Sequence, residues 1–309
     1  MHPSTPDPPS LAGRVVASHG RDAVVVADDG SRVHCRLLGR KLAVVCGDRV
    51  LWQSARTEGG AGVIVEVLPR ASLLARISSR GDPEPVAANL TQLIAVVAAV
   101  PTPDFGLCDR YLAAAAWNSL TACIVANKSD LEDPGGMVAT VLGDYTRIGY
   151  HVVLTSKRQA GSIDALRARL AGQVSVLVGQ SGVGKSSLIN ALVPGVEAAV
   201  DEVSRASESG RHTTTTASLY ALPTGGELID SPGVRDFSPP LPALRDVAGG
   251  YREIAALAAD CRFRDCLHRR EPGCRVTAAV EEGDIATRRL GSYRRLLALA
   301  EEMALRIRR

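Results

Sequence analysis

Hydrophobic and polar positions alternate in short runs over the first seventy residues: Arg14 to Ser18, Ala23 to Ala27, Ser31 to Leu37, Arg49 to Gln53 and Gly62 to Val67. Asp29-Gly30 and Gly47-Asp48 punctuate them as turn signals. Short strands packed this densely predict a small barrel over residues 11–70, an OB-fold by preference, with an SH3-like barrel as the alternative. After Arg70 the pattern changes. Apolar runs at Leu93 to Val100, Ala122 to Ala126, His151 to Leu154, Val174 to Val178 and Glu227 to Ile229 alternate with longer helical stretches. That alternation predicts an α/β domain over residues 71–240, with a parallel sheet covered on both faces. Several of the runs end directly in a polar motif, and ligands of open α/β sheets collect at the carboxyl ends of strands.

Pro239-Pro240-Leu241-Pro242 reads as a linker into a C-terminal unit, residues 241–309. There a cysteine and histidine cluster precedes a helix with Leu290, Tyr293, Leu297 and Ala300 on one stripe and Arg288, Arg289, Arg294 and Arg295 largely off it. At the other end, residues 1–10 are polar and proline-rich, which predicts a disordered tail rather than a secretion signal. The longest apolar run, Leu93 to Val100, is too short for a bilayer span. A cytoplasmic location without membrane association is therefore expected, with the seven cysteines as free thiols or metal ligands.

Charge and composition refine this picture in two places. The net charge of +3 conceals basic ends around an acidic middle, a distribution that suits either phosphate-backbone binding at the ends or an ordinary solvated arginine surface. Lysine is rare: of 36 Lys and Arg residues only Lys41, Lys128, Lys157 and Lys185 are lysines. In so arginine-rich a chain, lysine marks positions that need a slim point charge rather than a planar fork.

Three of those lysines fall in nucleotide-binding patterns. Gly179-Gln180-Ser181-Gly182-Val183-Gly184-Lys185-Ser186-Ser187 fits G-x-x-x-x-G-K-[ST], with the strand Val174 to Val178 before it and a helix through Leu188, Ile189 and Leu192 after it. Its glycines let successive backbone N–H groups turn inward on phosphate oxygens, Lys185 reaches the β and γ phosphates, and Ser186 ligates Mg²⁺. Asp230-Ser-Pro-Gly233 fits D-x-x-G, whose aspartate holds Mg²⁺ through water and whose glycine N–H senses the γ-phosphate.

Asn127-Lys128-Ser129-Asp130 supplies base selection, because a carboxylate at the purine edge accepts both N1–H and the exocyclic amine of guanine. In this reading Lys128 lies along the purine face, Asn127 ties its loop to the phosphate loop, and Thr155-Ser156-Lys157 backs the base with N–H groups toward O6. The order is inverted relative to the usual GTPase chain: N-K-S-D and T-S-K precede the phosphate loop and D-x-x-G. A sheet tolerates such circular permutation because strand positions, not chain order, build the pocket. Permutation also leads the segment after Gly233 straight into the C-terminal unit, so movement of that unit with the γ-phosphate is expected.

Catalysis needs a substitute for the glutamine that orients water in Ras-like GTPases, since Val234 stands in that place. Gly210-Arg211-His212-Thr213-Thr214-Thr215-Thr216 lies where the first switch belongs. Thr214 is the expected Mg²⁺ ligand, with Thr213 as rival, and His212 is the candidate to orient or deprotonate water. Cys261-x4-Cys266-x-His268-x5-Cys274 offers three thiolates and an imidazole, a closed tetrahedral set for one structural Zn²⁺. Arg262, Arg264, Arg269, Arg270 and Arg275 interleave with those ligands and suit phosphate-backbone contact. Cys35, Cys46, Cys108 and Cys123 read as core residues.

Taken together, N-K-S-D, G-Q-S-G-V-G-K-S-S, G-R-H-T-T-T, D-S-P-G-V and C-x4-C-x-H-x5-C-R-V resemble the small ribosomal subunit biogenesis GTPase A family, circularly permuted and ribosome-stimulated. The resemblance covers nearly the whole chain. It implies a monomeric maturation factor that binds GTP and GDP, the 30S subunit and 16S rRNA, acts late in assembly and leaves after hydrolysis. It also implies a hydrolytic role for His212 and a ribosome contact for the zinc unit. Ala88-Asn89-Leu90-Thr91-Gln92 departs from the family's usual A-N-V-D-Q. The alternative reading of the same pocket is a GTP-dependent switch that acts on a protein partner without ribosome stimulation; a zinc-stabilised RNA-binding protein with a vestigial nucleotide site is a third.

Overall fold

A computed structural model describes residues 9–39, 43–55, 60–78, 81–195, 217–230 and 239–307. The five runs expected at the start are strands β1 (Leu11–His19), β2 (Asp22–Ala27), β3 (Arg32–Leu37), β4 (Arg49–Gln53) and β5 (Gly62–Val67). They pair in the order β1-β2-β3-β5-β4, and β4 returns to β1 to close a barrel. Alternation along each strand sends Val15, Val25, Cys35, Val50, Trp52 and Ile64 into its interior. Asp48 is fully buried at the barrel's exit, where the Arg70 guanidinium grips both carboxylate oxygens at 2.7 and 2.8 Å and the Val45 N–H donates a third bond. A buried charge is tolerated because both of its oxygens are hydrogen-bonded and its partner is a cation.

A hairpin follows, β6 (Leu73–Ile77) and β7 (Pro83–Ala88), which the hydrophobic pattern does not predict. Pro83 and Pro85 argue against a strand, yet this ribbon has only two strands and prolines are accepted at such edges. The main sheet is built from β8 (Gln92–Val97), β9 (Thr121–Asn127), β10 (His151–Thr155), β11 (Val174–Val178), β12 (Ala217–Ala221) and β13 (Glu227–Asp230), in the order β10-β9-β8-β11-β13-β12. All of these pairs are parallel except β12 with β13. Strand β12 also pairs antiparallel with β1, so barrel and main sheet form one eleven-stranded sheet among the described residues, reinforced by an ion pair between Arg14 and Glu227.

Helices α1 (Phe105–Trp117) and α2 (Met137–Arg147) cover one face, and α3 (Asp164–Leu170) and α4 (Lys185–Leu192) the other. Strand β8 shows why its sequence is apolar throughout: Leu93, Ala95 and Val97 pack toward α1 and α2, while Ile94, Val96 and Ala98 pack toward α3 and α4. The anticipated two-sided cover is what forms.

The C-terminal unit comprises a 3₁₀ turn (Leu244–Gly250), α5 (Arg252–Ala258), α6 (Arg275–Glu281) and α7 (Thr287–Ile307), around Val247, Tyr251, Ile254, Val276, Leu290, Tyr293 and Leu297. It does not hang free. Its core is continuous with Ala113 and Trp117 of α1, and a buried ion cluster crosses the same interface. Asp109 of α1 is 0 % exposed and accepts from Arg288 and Arg289 of α7 at 2.7 Å each, and also from the Tyr145 hydroxyl. Arg289, likewise 0 % exposed, gives its Nε and Nη2 hydrogens to Glu253 of α5 at 2.6 and 3.0 Å. Arg289 is thus off the apolar stripe yet inside the core, where two carboxylates satisfy its planar fork. Asp109→Ala would leave that guanidinium without half its compensation and should cost about 3–5 kcal/mol, measurable as a lower urea midpoint for the full chain.

Candidate nucleotide and metal sites

The carboxyl ends of β8, β9, β10 and β11 lie side by side, and the polar motifs follow from them. At the end of β11, Gly179 has φ +149°, and a Cβ there would sit 2.3 Å from the Val96 carbonyl oxygen, so only glycine lets the loop leave so close to β8. The loop is pinned from below by Val183, whose side chain is buried among Ile189 and Leu192. Gly184 carries φ +97°, and a Cβ there would meet Asn127 Nδ2 at 2.3 Å. That absent methyl is the space through which the second loop docks.

Asn127, the last residue of β9, donates its side-chain amide to the Val183 carbonyl at 2.9 Å and accepts the Thr155 hydroxyl at 3.0 Å. Lys128 takes up a left-handed backbone (φ 58°) and sends its ammonium to the carbonyls of Gly182 (2.7 Å) and Val100 (2.9 Å). Three segments distant in sequence thus converge: N-K-S-D, the phosphate loop and the start of the T-S-K stretch. Between them lies a cavity of about 500 Å³ lined by Asn127, Lys128, Asp130, Ser156, Lys157, Gly184 and Ser187.

Asp130 faces this cavity. The Ser156 hydroxyl donates to its Oδ1, and Arg158 lies 3.6 Å from Oδ2. The hydrogen bond from Ser156, more than the charges of Arg158 and Lys157, holds the carboxyl below the usual aspartate range, so it is ionised and purely an acceptor at neutral pH. Lys185 opens α4 and bonds the carbonyls of Gly179 and Gln180, while Ser186 follows in the same turn. Gln180 turns outward to accept the backbone N–H of Asp104, the residue that caps α1. Asp230 ends β13 one residue past the pairing of Ile229 with Val176, level with Leu177 and two residues before the phosphate loop begins at Gly179. His212, Thr213, Thr214 and Gly233 lie outside the described residues.

Residue spacing singles out the stretch Thr155-Ser156-Lys157 but not Arg158, Ser162 or the Val100 carbonyl. For Arg158 the available signal is its place next to Lys157; a main-chain carbonyl leaves none.

The second constellation is in the C-terminal unit. The sulfurs of Cys261, Cys266 and Cys274 and one His268 ring nitrogen all lie within 4.8 Å of one another. His268 Nδ1 is 3.6 Å from the sulfurs of both Cys261 and Cys274, and those two sulfurs are 4.0 Å apart. Burial lowers the His268 pKa, which keeps the imidazole neutral and its lone pair available. Burial also pushes the Cys266 thiol up to about 12, with Cys274 and Cys261 adding to the effect. Three sulfurs and an imidazole nitrogen gathered this closely form a donor set that could hold a metal ion. Around it, the Glu271 carboxylate collects the N–H groups of Leu267, Arg269 and Arg270, and the Thr277 N–H points at the Cys274 sulfur. Cys35, Cys46, Cys108 and Cys123 are buried, as core residues should be.

Comparison with known proteins bears on both sites. Residues 67–239 match the profile of a family described as RsgA GTPase. The small ribosomal subunit biogenesis GTPase RsgA of Chromohalobacter salexigens is 47% identical over 294 residues, 94% of this chain and 86% of the relative. Its namesake in Azotobacter vinelandii is 45% identical over 95% of this chain and 87% of its own length. The chain belongs to the RsgA GTPase family.

Solved structures agree with that assignment. YjeQ of Thermotoga maritima superposes with a TM-score of 0.74 at 32% identity, covering 94% of this chain and 99% of its own. YloQ, described as a circularly permuted GTPase, gives 0.71 at 26% identity over 95% and 96%. As an RsgA GTPase the protein is a GTP hydrolase. The family match spans the phosphate loop, N-K-S-D and D-x-x-G, and the relatives' coverage extends it over the barrel and the Cys/His cluster. Within the RsgA framework Thr91, at the departure noted in A-N-L-T-Q, is a local fastening: its hydroxyl donates to Gln173 at 2.7 Å and accepts the Val174 N–H at 2.9 Å. Among the described residues no helix is long and apolar enough to cross a membrane.

Replacing Asn127 by Ala removes the side chain that joins β9, β10 and the phosphate loop and leaves the Thr155 hydroxyl unmatched in a buried place. With each such orphan costing about 1–3 kcal/mol, GDP affinity should fall by roughly 5- to 150-fold, read by titration with a fluorescent GDP analogue.

Proposed function

We propose that this RsgA GTPase binds GTP in the cavity between N-K-S-D and the phosphate loop and couples its hydrolysis to late maturation of the 30S ribosomal subunit. The clasp of Asn127 and Lys128 on the Val183 and Gly182 carbonyls carries this reading, because it brings base-selecting and phosphate-holding groups to one cavity despite their inverted order. Asp130 selects guanine, Lys128 lies along the base, and Ser156 and Lys157 back it. Gly179 to Ser187 hold the phosphates, with Lys185 as the cation on the β and γ groups. Ser186 and Thr214 hold the Mg²⁺ that accompanies GTP, Asp230 supports it through water, and Gly233 senses the γ-phosphate. The ion neutralises charge developing on the phosphates. His212 orients or deprotonates the attacking water in place of the glutamine that Val234 replaces.

The three units, residues 11–70, 71–240 and 241–309, take distinct parts. The order β1-β2-β3-β5-β4-β1 supports an OB-fold over an SH3-like barrel, and OB-folds bind oligonucleotides. The Cys₃His cluster fits structural zinc. A tetrahedron with Zn–S near 2.3 Å and Zn–N near 2.0–2.1 Å has S–S edges of about 3.8 Å and S–N edges of about 3.6 Å, close to the spacings seen. With four protein ligands the ion supplies folding energy rather than chemistry. Contact with 16S rRNA is supported by the interleaved Arg262, Arg264, Arg269, Arg270 and Arg275, and action on the small subunit by the names of the relatives. The protein acts as a cytoplasmic monomer that leaves the particle after hydrolysis.

GTP turnover measured with and without purified 30S subunits tests this directly: several-fold stimulation is expected, and indifference to the subunit would favour a switch acting on a protein partner. Asp130→Asn should move nucleotide preference toward xanthosine in the same assay, while His212→Ala should lower kcat and leave GTP affinity nearly intact. Elemental analysis should return one zinc per chain, and Cys261→Ser should lose it together with the cooperative unfolding of residues 241–309.

A further inference from the structure

Asp130 recognises a base only if its two oxygens are aimed at the guanine edge, and this aim is set by a residue not yet assigned a role. Ser156 gives its hydroxyl hydrogen to Asp130 Oδ1 and accepts the Arg158 N–H at 3.0 Å on the same oxygen. The hydroxyl is therefore used as both donor and acceptor. What holds Ser156 itself is Ser162: its Oγ accepts the Ser156 N–H at 3.0 Å and donates to the Ser156 carbonyl at 2.6 Å. One side chain buckles both main-chain polar groups of one residue across six positions and lines the cavity. No regular element restrains Lys157 to Ile163, which lie between the end of β10 and the start of α3. The carboxylate of Asp130 is thus oriented through a chain of three residues, Ser162 to Ser156 to Asp130.

We propose that Ser162 is a positioning residue for guanine recognition, acting through Ser156 on Asp130. The proposal rests on the guanine-site reading given above and deepens it. Its consequence is selective. A carboxylate that drifts loses first the pair of bonds to N1–H and the exocyclic amine, and a base without that amine has less to lose. Ser162→Ala should therefore weaken GDP binding by about tenfold while inosine diphosphate, which lacks the amine, is weakened about twofold. Threonine keeps the hydroxyl, so Ser162→Thr should restore the discrimination.

The experiment is calorimetric titration of GDP, inosine diphosphate and ADP into the full-length wild type, Ser162→Ala and Ser162→Thr. A GDP-to-inosine-diphosphate ratio that collapses in the alanine variant and returns in the threonine variant supports the role. A ratio unchanged in Ser162→Ala, or equal losses for both nucleotides, overturns it, since a merely loosened loop would weaken both alike. Failure of the underlying site reading looks different: wild-type protein would then bind ADP as well as GDP.

Discussion

The contact on which the rest depends is the grip of one loop on another loop's carbonyls. Asn127 and Lys128 reach residues 54 to 56 positions later in the chain, and both take main-chain oxygens of the phosphate loop. Main-chain acceptors matter here. A side-chain partner could rotate away, whereas Val183 is fixed by its own apolar side chain in the core, so its carbonyl is a rigid target. The parallel neighbours β9, β8 and β11 deliver the two loops to one end of the sheet, and Gly184 supplies the clearance for them to touch. Chain order has no part in this. Permuting the connections leaves strand neighbours, and therefore the pocket, intact.

Much of this was legible in the sequence because the informative residues are those whose physics is local. Strands β4, β5 and β11 have the boundaries that alternation and apolar runs assign them, and the spacing of Cys261, Cys266, His268 and Cys274 announces a cluster that the fold closes to within 4.8 Å. What escaped was decided by partners far away. Strand β12 is short, carries the buried Ser218, and owes its existence to pairing with β1 and β13, two hundred and ten residues apart. The hairpin β6–β7 hides behind its prolines. Arg289 lies off the apolar stripe, and spacing reports polarity, not whether two carboxylates await it. The stretch Thr155-Ser156-Lys157 was recognised as a unit, but the division of labour within it, Thr155 on Asn127 and Ser156 on Asp130, is a matter of geometry alone.

The two polar sites are stabilised in opposite ways. Around Asp130, a hydroxyl and nearby cations favour charge, so the acceptor is ready at neutral pH. Around Cys266 burial disfavours charge, and its sulfur lies with those of Cys261 and Cys274 and a His268 nitrogen in a set that could hold a cation. The first arrangement suits a ligand that comes and goes. The second, closed by four protein donors, leaves no donor position for a reactant.

The ion cluster beneath α1 also bears on how the molecule divides. Pro239 to Pro242 invites the view of a separable appendage, with a fragment ending there as the catalytic core. Such a fragment would expose the floor of α1 and strip Asp109 of both its guanidinium partners, turning an interior carboxylate into a solvent-facing one on a surface shaped to be covered. The unit carrying the metal cluster is thus part of the architecture that keeps the nucleotide-bearing sheet whole, and activity lost on cutting it away says nothing by itself about what that unit touches outside the molecule.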